Sequence, residues 1–148
     1  NGATNAGLVA VLLGHPGTGL LPSTHRTLLM SSIGGQLNTA YSGLGGGLHL
    51  TDLDGDGMDD VVAGAILYGS AQGRIAVFWG STGSLTAGSF MFSESEMGGM
   101  VENYSAFGQI LGSGDFDDDG TIELAVGLPS QKINGHDDAG VVFTADID

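Results

Sequence analysis

The stretch Asp52-Leu53-Asp54-Gly55-Asp56-Gly57-Met58-Asp59-Asp60 returns 63 residues later as Asp115-Phe116-Asp117-Asp118-Asp119-Gly120-Thr121-Ile122-Glu123. Both copies place a carboxylate at loop positions 1, 3, 5 and 9 and a glycine at position 6. Carboxylates two residues apart around a sharp turn can converge on one point, and glycine takes backbone angles that other residues resist. Converging oxygens suit a hard cation that takes six to eight of them, such as Ca²⁺.

The flanks repeat as well. Leu44-Gly45 precedes the first loop as Phe107-Gly108 precedes the second. Val61-Val62-Ala63-Gly64-Ala65 follows the first as Leu124-Ala125-Val126-Gly127-Leu128 follows the second. Gly7-Leu8-Val9-Ala10-Val11-Leu12-Leu13-Gly14 matches Gly73-Arg74-Ile75-Ala76-Val77-Phe78-Trp79-Gly80 at an offset of 66, and a third copy begins at Gly140, 67 further on. A period of this length marks a repeat architecture. Apolar runs of four to seven residues punctuated by glycine read as strands, and no stretch keeps a 3.6-residue apolar period for three turns.

Each unit therefore reads as four strands. Strand one leads into the acidic loop (45–51, 108–114) and strand two leaves it (60–65, 123–128). Strand three is the Gly-x-Val-x-Val segment. Strand four falls at 89–93, and at about 26–31 in the first unit. Tight turns are expected at Pro16-Gly17, Ser81-Thr82-Gly83 and Asn134-Gly135. The expected fold is all-β: β-propeller blades of four antiparallel strands, with cation loops between strands one and two. Residues 1–42 supply strands three and four of a first blade plus a crossover. Residues 43–105 supply a complete blade with its crossover, and 106–148 strands one to three of a further blade. A closed propeller needs four or more blades. The chain is thus expected to belong to a larger propeller or to assemble with copies of itself, since its outer strands would otherwise present unpaired edges. It begins at Asn1 rather than Met, which suggests a processed chain or a piece of a longer one.

At this point the residues resemble a known family, the FG-GAP repeats of integrin α-subunit propellers and their bacterial relatives. Phe107-Gly108 resembles the FG element and Val126-Gly127-Leu128-Pro129 the GAP element, with the acidic loop between them. The first full unit departs from the pattern: Leu44-Gly45 stands for Phe-Gly, and Gly64-Ala65 lacks the proline. The resemblance implies a propeller of typically seven blades with calcium loops on its lower face. It also implies an extracellular or cell-surface role in adhesion and protein–protein interaction. Ligands are then expected on the opposite face, at loops between strands two and three and between blades.

The expected side-chain ligands are Asp52, Asp54, Asp56 and Asp60 in the first loop, with the Met58 carbonyl at position 7. In the second they are Asp115, Asp117, Asp119 and Glu123, with the Thr121 carbonyl. Asp59 and Asp118 fall off register and should face solvent. Clustered carboxylates repel one another without a cation. An EF-hand would need a bidentate glutamate at position 12 between two helices. Ala63 and Val126 stand there, between strands, and the EF-hand is rejected. The cation's role is read as structural: it ties strand one to strand two.

Composition narrows the partners. The net charge is −14, with three Lys plus Arg (Arg26, Arg74, Lys132) and no cysteine. Asp52, Asp54, Asp56, Asp59, Asp60, Asp115, Asp117, Asp118, Asp119 and Glu123 account for most of the 17 acids. So few cations argue against nucleic acid or an anionic membrane surface. No apolar run reaches the roughly 18 residues of a membrane span.

Gly14-His15-Pro16-Gly17-Thr18-Gly19 lacks the Lys-Ser/Thr that a phosphate loop requires, and reads as a turn. The connection 131–139 reads as an exposed hairpin loop with Lys132, His136, Asp137 and Asp138 open to a partner. Met97 and Met100 are expected to pack between blades. Asp146-Ile147-Asp148 reads as a strand end rather than a third loop. His15, His25, His49 and His136 show no metal spacing, and no serine has His and Asp at matched repeat positions. A binding module is expected, not an enzyme. One alternative, a carbohydrate-binding propeller, should repeat an aromatic pocket, yet Leu13 and Asp146 stand where a counterpart of Trp79 would; the other, a hydrolase-associated propeller domain, needs a polar pocket on the propeller axis.

Overall fold

A computed structural model describes residues 4–21, 23, 25–33 and 40–147. In chain order the strands are β1 (Val9–Val11), β2 (Gly14–His15), β3 (Gly19–Leu20), β4 (Arg26–Leu28), β5 (Leu44–Thr51), β6 (Asp60–Ala65), β7 (Ile75–Phe78), β8 (Phe90–Phe92), β9 (Ile110–Gly114), β10 (Glu123–Leu128) and β11 (Val141–Ala145). They form antiparallel sheets in the orders β1-β4, β2-β3, β5-β6-β7-β8 and β11-β10-β9, none of them closed on itself. The second strand of each full unit falls on the residues that the sequence indicates. The expected turn at Pro16-Gly17 is a small extra hairpin, pairing Gly14 with Leu20 and His15 with Gly19. The crossover at 34–39 and Asp148 lie outside the described residues.

The middle sheet is covered on both faces, and its composition follows from that. Every residue of β6 and β7 is buried. Val61, Ala63, Ala65, Ala76 and Phe78 pack with Val9, Leu28 and Met30 of the first unit. Val62, Ile75 and Val77 pack on the other side with Phe107, Leu124, Val126 and Leu128 of the third. A strand buried on both faces reads as a continuous apolar run rather than an alternating one. A run of rings, Trp79–Phe90–Phe92–Phe107, with centroids 5.9 to 6.0 Å apart, extends through the second core. Arg26 reaches across the first interface toward the Gly83 carbonyl (3.5 Å), and Arg74 lies 5.0 Å over the Tyr68 ring.

Consecutive units are also joined by backbone, in a clasp that recurs. The N–H groups of Tyr41, Gly43 and Leu44 donate to the carbonyls of Thr4, Asn5 and Ala6 (2.7, 3.1 and 3.0 Å). In the same way Tyr104, Ala106 and Phe107 donate to Ser70, Ala71 and Gln72 (3.2, 2.9 and 3.0 Å). Ser42 Oγ donates to Ala6 and Ser105 Oγ to Gln72 (3.0 and 2.9 Å). Parallel bridges Gly7–Leu44 and Gly73–Phe107 close the two clasps.

The acceptor strands bend through left-handed backbone. Asn5 has φ 54° and Gly7 76°; Ala71 has 59° and Gly73 84°. A non-glycine residue in that region costs about 1–2 kcal/mol. A side chain on Gly7 or Gly73 would run into the backbone of Leu44 or Phe107. Gly108, at φ 94°, lies against Gly64 and Ile75, so that an added Cβ would sit 3.0 Å from the Gly64 Cα. The repeated glycines thus let one unit's backbone close on the next.

The fourth strand of the first unit stops at Leu28, and Met30–Ser32 forms a 3-10 turn in which Leu29 N–H donates to Ser32 Oγ (3.0 Å). The second unit does the same at Glu94–Met97, with Ser93 N–H donating to Glu96 Oε2 (2.7 Å). Glu94 is as buried as its counterpart Met30, and neither carboxylate oxygen has a hydrogen-bond partner. Burial pushes its carboxyl above the ordinary range; Ser105 opposes this and Glu102 adds to it. Burial prevails, because Ser105 directs its proton to the Gln72 carbonyl. Met97 packs against the second core as expected, but Met100 and Tyr104 are 71% and 79% exposed. Gly98 and Gly99 follow the turn, and the chain leaves the core there.

Two outcomes are expected. Gly108→Ala combines a strained φ with a clash against the preceding unit, and should cost about 3 kcal/mol of unfolding free energy in urea denaturation. Glu94 has a raised folded pKa, so its contribution is full below its ordinary value near 4.5 and lost as pH rises through the raised one. The melting temperature of Glu94→Gln should therefore exceed that of the parent at pH 7–8, with the gap closing toward pH 4.

Candidate metal centre

The last pairs of the two hairpins set the site. Thr51 pairs with Asp60 and Gly114 with Glu123, so each acidic loop leaves and re-enters the sheet at adjacent positions. Gly55 and Gly57 turn the first loop at φ 72° and 89°; Asp118 (64°) and Gly120 (91°) turn the second. Aspartate at the Gly55 position works because its short polar side chain tolerates left-handed backbone.

In the second loop the four expected carboxylates come together: Asp115, Asp117, Asp119 and Glu123 each place an oxygen within 4.8 Å of the others. In the first, Asp52, Asp54 and Asp60 do so. Asp56 is not among them; its Oδ1 accepts the Met58 N–H at 2.8 Å. Its counterpart Asp119 accepts the Thr121 N–H (2.8 Å) and hydroxyl (2.6 Å), yet stays in the cluster. Those two bonds, the hydroxyl first, hold the Asp119 carboxyl below the ordinary range. Asp59 and Asp118 are exposed, as expected. Ala63 and Val126, at the twelfth position, are fully buried in β6 and β10.

Backbone N–H groups hold most of these carboxylates in place. Gly57 N–H donates to Asp52 Oδ2 (2.9 Å) and Gly120 N–H to Asp115 Oδ2 (3.0 Å). Asp60 is fully buried and accepts from Leu53 N–H (2.8 Å) and from Gly80 N–H (2.7 Å), which ties the loop to the end of β7. Glu123 Oε2 accepts from Phe116 N–H (2.6 Å) as Asp60 does from Leu53. Burial raises the Asp60 carboxyl above its ordinary value; the N–H groups of Gly80 and Leu53 oppose this, and Asp54 and Asp52 add to it.

One oxygen is left over. Asp52 Oδ1 is buried and has no hydrogen-bond partner. A buried, unsatisfied carboxylate oxygen is costly, and a cation satisfies it. The donor set is all oxygen, carboxylate-rich and partly open to water, which fits a hard divalent ion rather than a thiophilic one. The two loops share a cleft of about 360 Å³ lined by Asp52, Asp54, Gly120, Thr121 and Asp146.

One polar contact escaped the sequence reading. His49 Nε2 lies 2.9 Å from Ser113 Oγ, which donates onward to Thr51 Oγ1 (3.1 Å), between the first strands of adjacent units. His49 and Ser113 stand 64 residues apart, near the repeat offset, and that spacing was the available signal. Among the described residues no carboxylate orients the imidazole, as a hydrolytic triad requires. In the 131–139 connection Lys132 pairs with Asp137 (2.8 Å), and Gln131 is buried, donating to the Met100 carbonyl (3.0 Å). That connection is therefore partly anchored.

No protein-family model matches the chain, and no curated protein matches it.

Asp60 and Asp54 should separate anchoring from cation binding. In excess chelator, Asp60→Ala strands two buried N–H groups and should destabilise by about 2–4 kcal/mol. Asp54, exposed and accepting only the Asp56 N–H among the described residues, should tolerate Ala there with little change. Chemical denaturation of both variants checks this.

Proposed function

We propose that the chain is a calcium-stabilised segment of an integrin-like β-propeller, acting outside the cell or at its surface in adhesion, protein–protein interaction or assembly rather than in catalysis. The observation that carries this reading is the pair of convergent carboxylate loops at one repeat position, one of them with an unsatisfied buried oxygen. Three sheets stacked through repeated clasps support blades, and the remaining blades belong to a larger propeller or to further copies of the chain. Calcium is favoured over magnesium because these loops offer many oxygens without rigid octahedral geometry.

Each ion binds the folded hairpin by joining Asp52, Asp54 and Asp60, or Asp115, Asp117, Asp119 and Glu123. It offsets their mutual repulsion and ties strand one to strand two. Asp56 and the Met58 and Thr121 carbonyls complete the sets. Recognition then falls to the opposite end of the strands, where the clasps and the connections between strands two and three lie. An ion that binds only the folded state stabilises it by RT ln(1 + [L]/Kd), about 2.7 kcal/mol at a hundredfold excess over Kd.

Melting followed with calcium, with magnesium and with chelator tests the proposal. Calcium should raise the melting temperature most, and Asp54→Ala should remove the contribution of its loop. A melting curve unchanged by excess chelator would sink the calcium reading. A glycan array probed with and without calcium tests the recognition class, with no glycan captured if the partner is protein.

A further inference from the structure

The two clasps within the chain have a third set of acceptor positions. By the repeat offset, Ser70, Ala71, Gln72 and Gly73 correspond to Asp137, Asp138, Ala139 and Gly140. The backbone agrees: Asp138 has φ 53° against 59° for Ala71 and 54° for Asn5, and Gly140 has 73° against 84° and 76° for Gly73 and Gly7. In the first two copies the carbonyls of this bend accept three N–H bonds from the next unit. In the third, the carbonyls of Asp137, Asp138 and Ala139 accept no hydrogen bond from any described residue.

The space beside the bend differs in the same way. A Cβ on Gly7 or Gly73 would strike the following unit, whereas one on Gly140 would meet only Pro129 and Leu128 of its own unit, at 3.2 and 3.6 Å. Beside it lies a groove of about 450 Å³ lined by Ile110, Gly127, Leu128, Pro129 and Val142. Gly127 and Val142 correspond to Gly64 and Ile75, which hold Gly108. Ile75 is fully buried, while Val142 is 67% exposed. A left-handed bend at a non-glycine residue such as Asp138 is strained and persists where it has a use.

We infer that Asp137–Gly140 and the groove beside it form a clasp that takes the first-strand segment of a further repeat unit. The occupant is an extended Tyr-Ser-Gly/Ala-Leu/Phe-Gly segment, the pattern shared by Tyr41-Ser42-Gly43-Leu44-Gly45 and Tyr104-Ser105-Ala106-Phe107-Gly108. Its N–H groups bond the three carbonyls, its serine caps the Ala139 carbonyl, and its glycine settles between Gly127 and Val142. A second copy of this chain does not supply the segment, because both of its examples are already held in clasps of their own. The inference rests on the repeat architecture of the proposed function and not on its cation.

The probe is a peptide matching residues 103–110, titrated into the isotopically labelled chain with and without calcium and followed by amide chemical shifts. Saturable shifts are expected at residues 137–142. They should vanish with a peptide carrying Gly108→Val, and in the Val142→Glu protein, whose exposed side chain is dispensable for folding. The Gly140→Val protein should lose them too. Absence of shifts at about 1 mM peptide, a concentration that reveals even millimolar binding, overturns the inference. So do shifts that survive Val142→Glu, or shifts centred on residues 70–73 through displacement of the internal segment. Self-association in sedimentation that Val142→Glu abolishes would make a second copy the occupant and overturn it as well. A chelator-insensitive melting curve would overturn the cation reading while leaving peptide capture intact, so the two failures are distinct.

Discussion

Neighbouring units approach one another backbone to backbone. Gly64 and Gly108 lie so near that neither position has room for a methyl group, and Gly7 and Gly73 are in the same situation against Leu44 and Phe107. Everything above this contact depends on it. Only when the sheets approach to that distance can the Tyr104, Ala106 and Phe107 N–H groups reach the carbonyls of residues 70–72. Only then does Phe107 enter the core beside Ile75 and Val77. A clasp built from main chain is insensitive to most side-chain changes and very sensitive to a few glycines. This explains how units with different second strands, such as Val61-Val62-Ala63 and Leu124-Ala125-Val126, share one interface geometry.

The cation loops and the clasps occupy opposite ends of the first strands. β5 runs eight residues, about 26 Å at the usual rise, from the clasp at Leu44 to the loop at Asp52. Asp60 links the loop to the sheet by accepting from Leu53 and from Gly80, so the loop end of the hairpin is held to β7 even without an ion. The carboxylates are largely positioned by N–H groups before a cation arrives. Little ordering then remains to oppose binding.

Much of this was legible in the sequence, for identifiable reasons. The second strands match because small apolar residues buried on both faces leave a run with few alternatives. In the second acidic loop the four carboxylates at positions 1, 3, 5 and 9 converge because they serve one geometry, while Asp118 stays outside it. Asp56 stands outside the first cluster because loop position five has two uses, a ligand and an acceptor for the N–H two residues on, and spacing cannot choose between them. The clasps were only half visible. Asn5, Ala71 and Asp138 share a left-handed backbone but no chemistry, so repeat alignment passes over them. Glu94 was hidden for the opposite reason: a carboxylate sits where the first unit has Met30, and an acid does not announce burial. Met100 was assigned to the core although a glycine pair carries the chain away from it.

The three cations lead to one further consequence. Arg26 reaches toward the Gly83 carbonyl, Arg74 covers the Tyr68 ring, and Lys132 is paired with Asp137. All three of these side chains have a partner within the chain, against a formal net charge of −14. Ten of the 17 acids lie in the two loops, so an approaching molecule meets the densest negative charge at that end of the strands. Two such molecules repel over roughly a Debye length, about 10 Å at 0.1 M salt and about 3 Å at 1 M. Solution ionic strength therefore acts as a separate control on crowding of like chains. It leaves the neutral main-chain contacts within each chain untouched while setting how closely two surfaces approach.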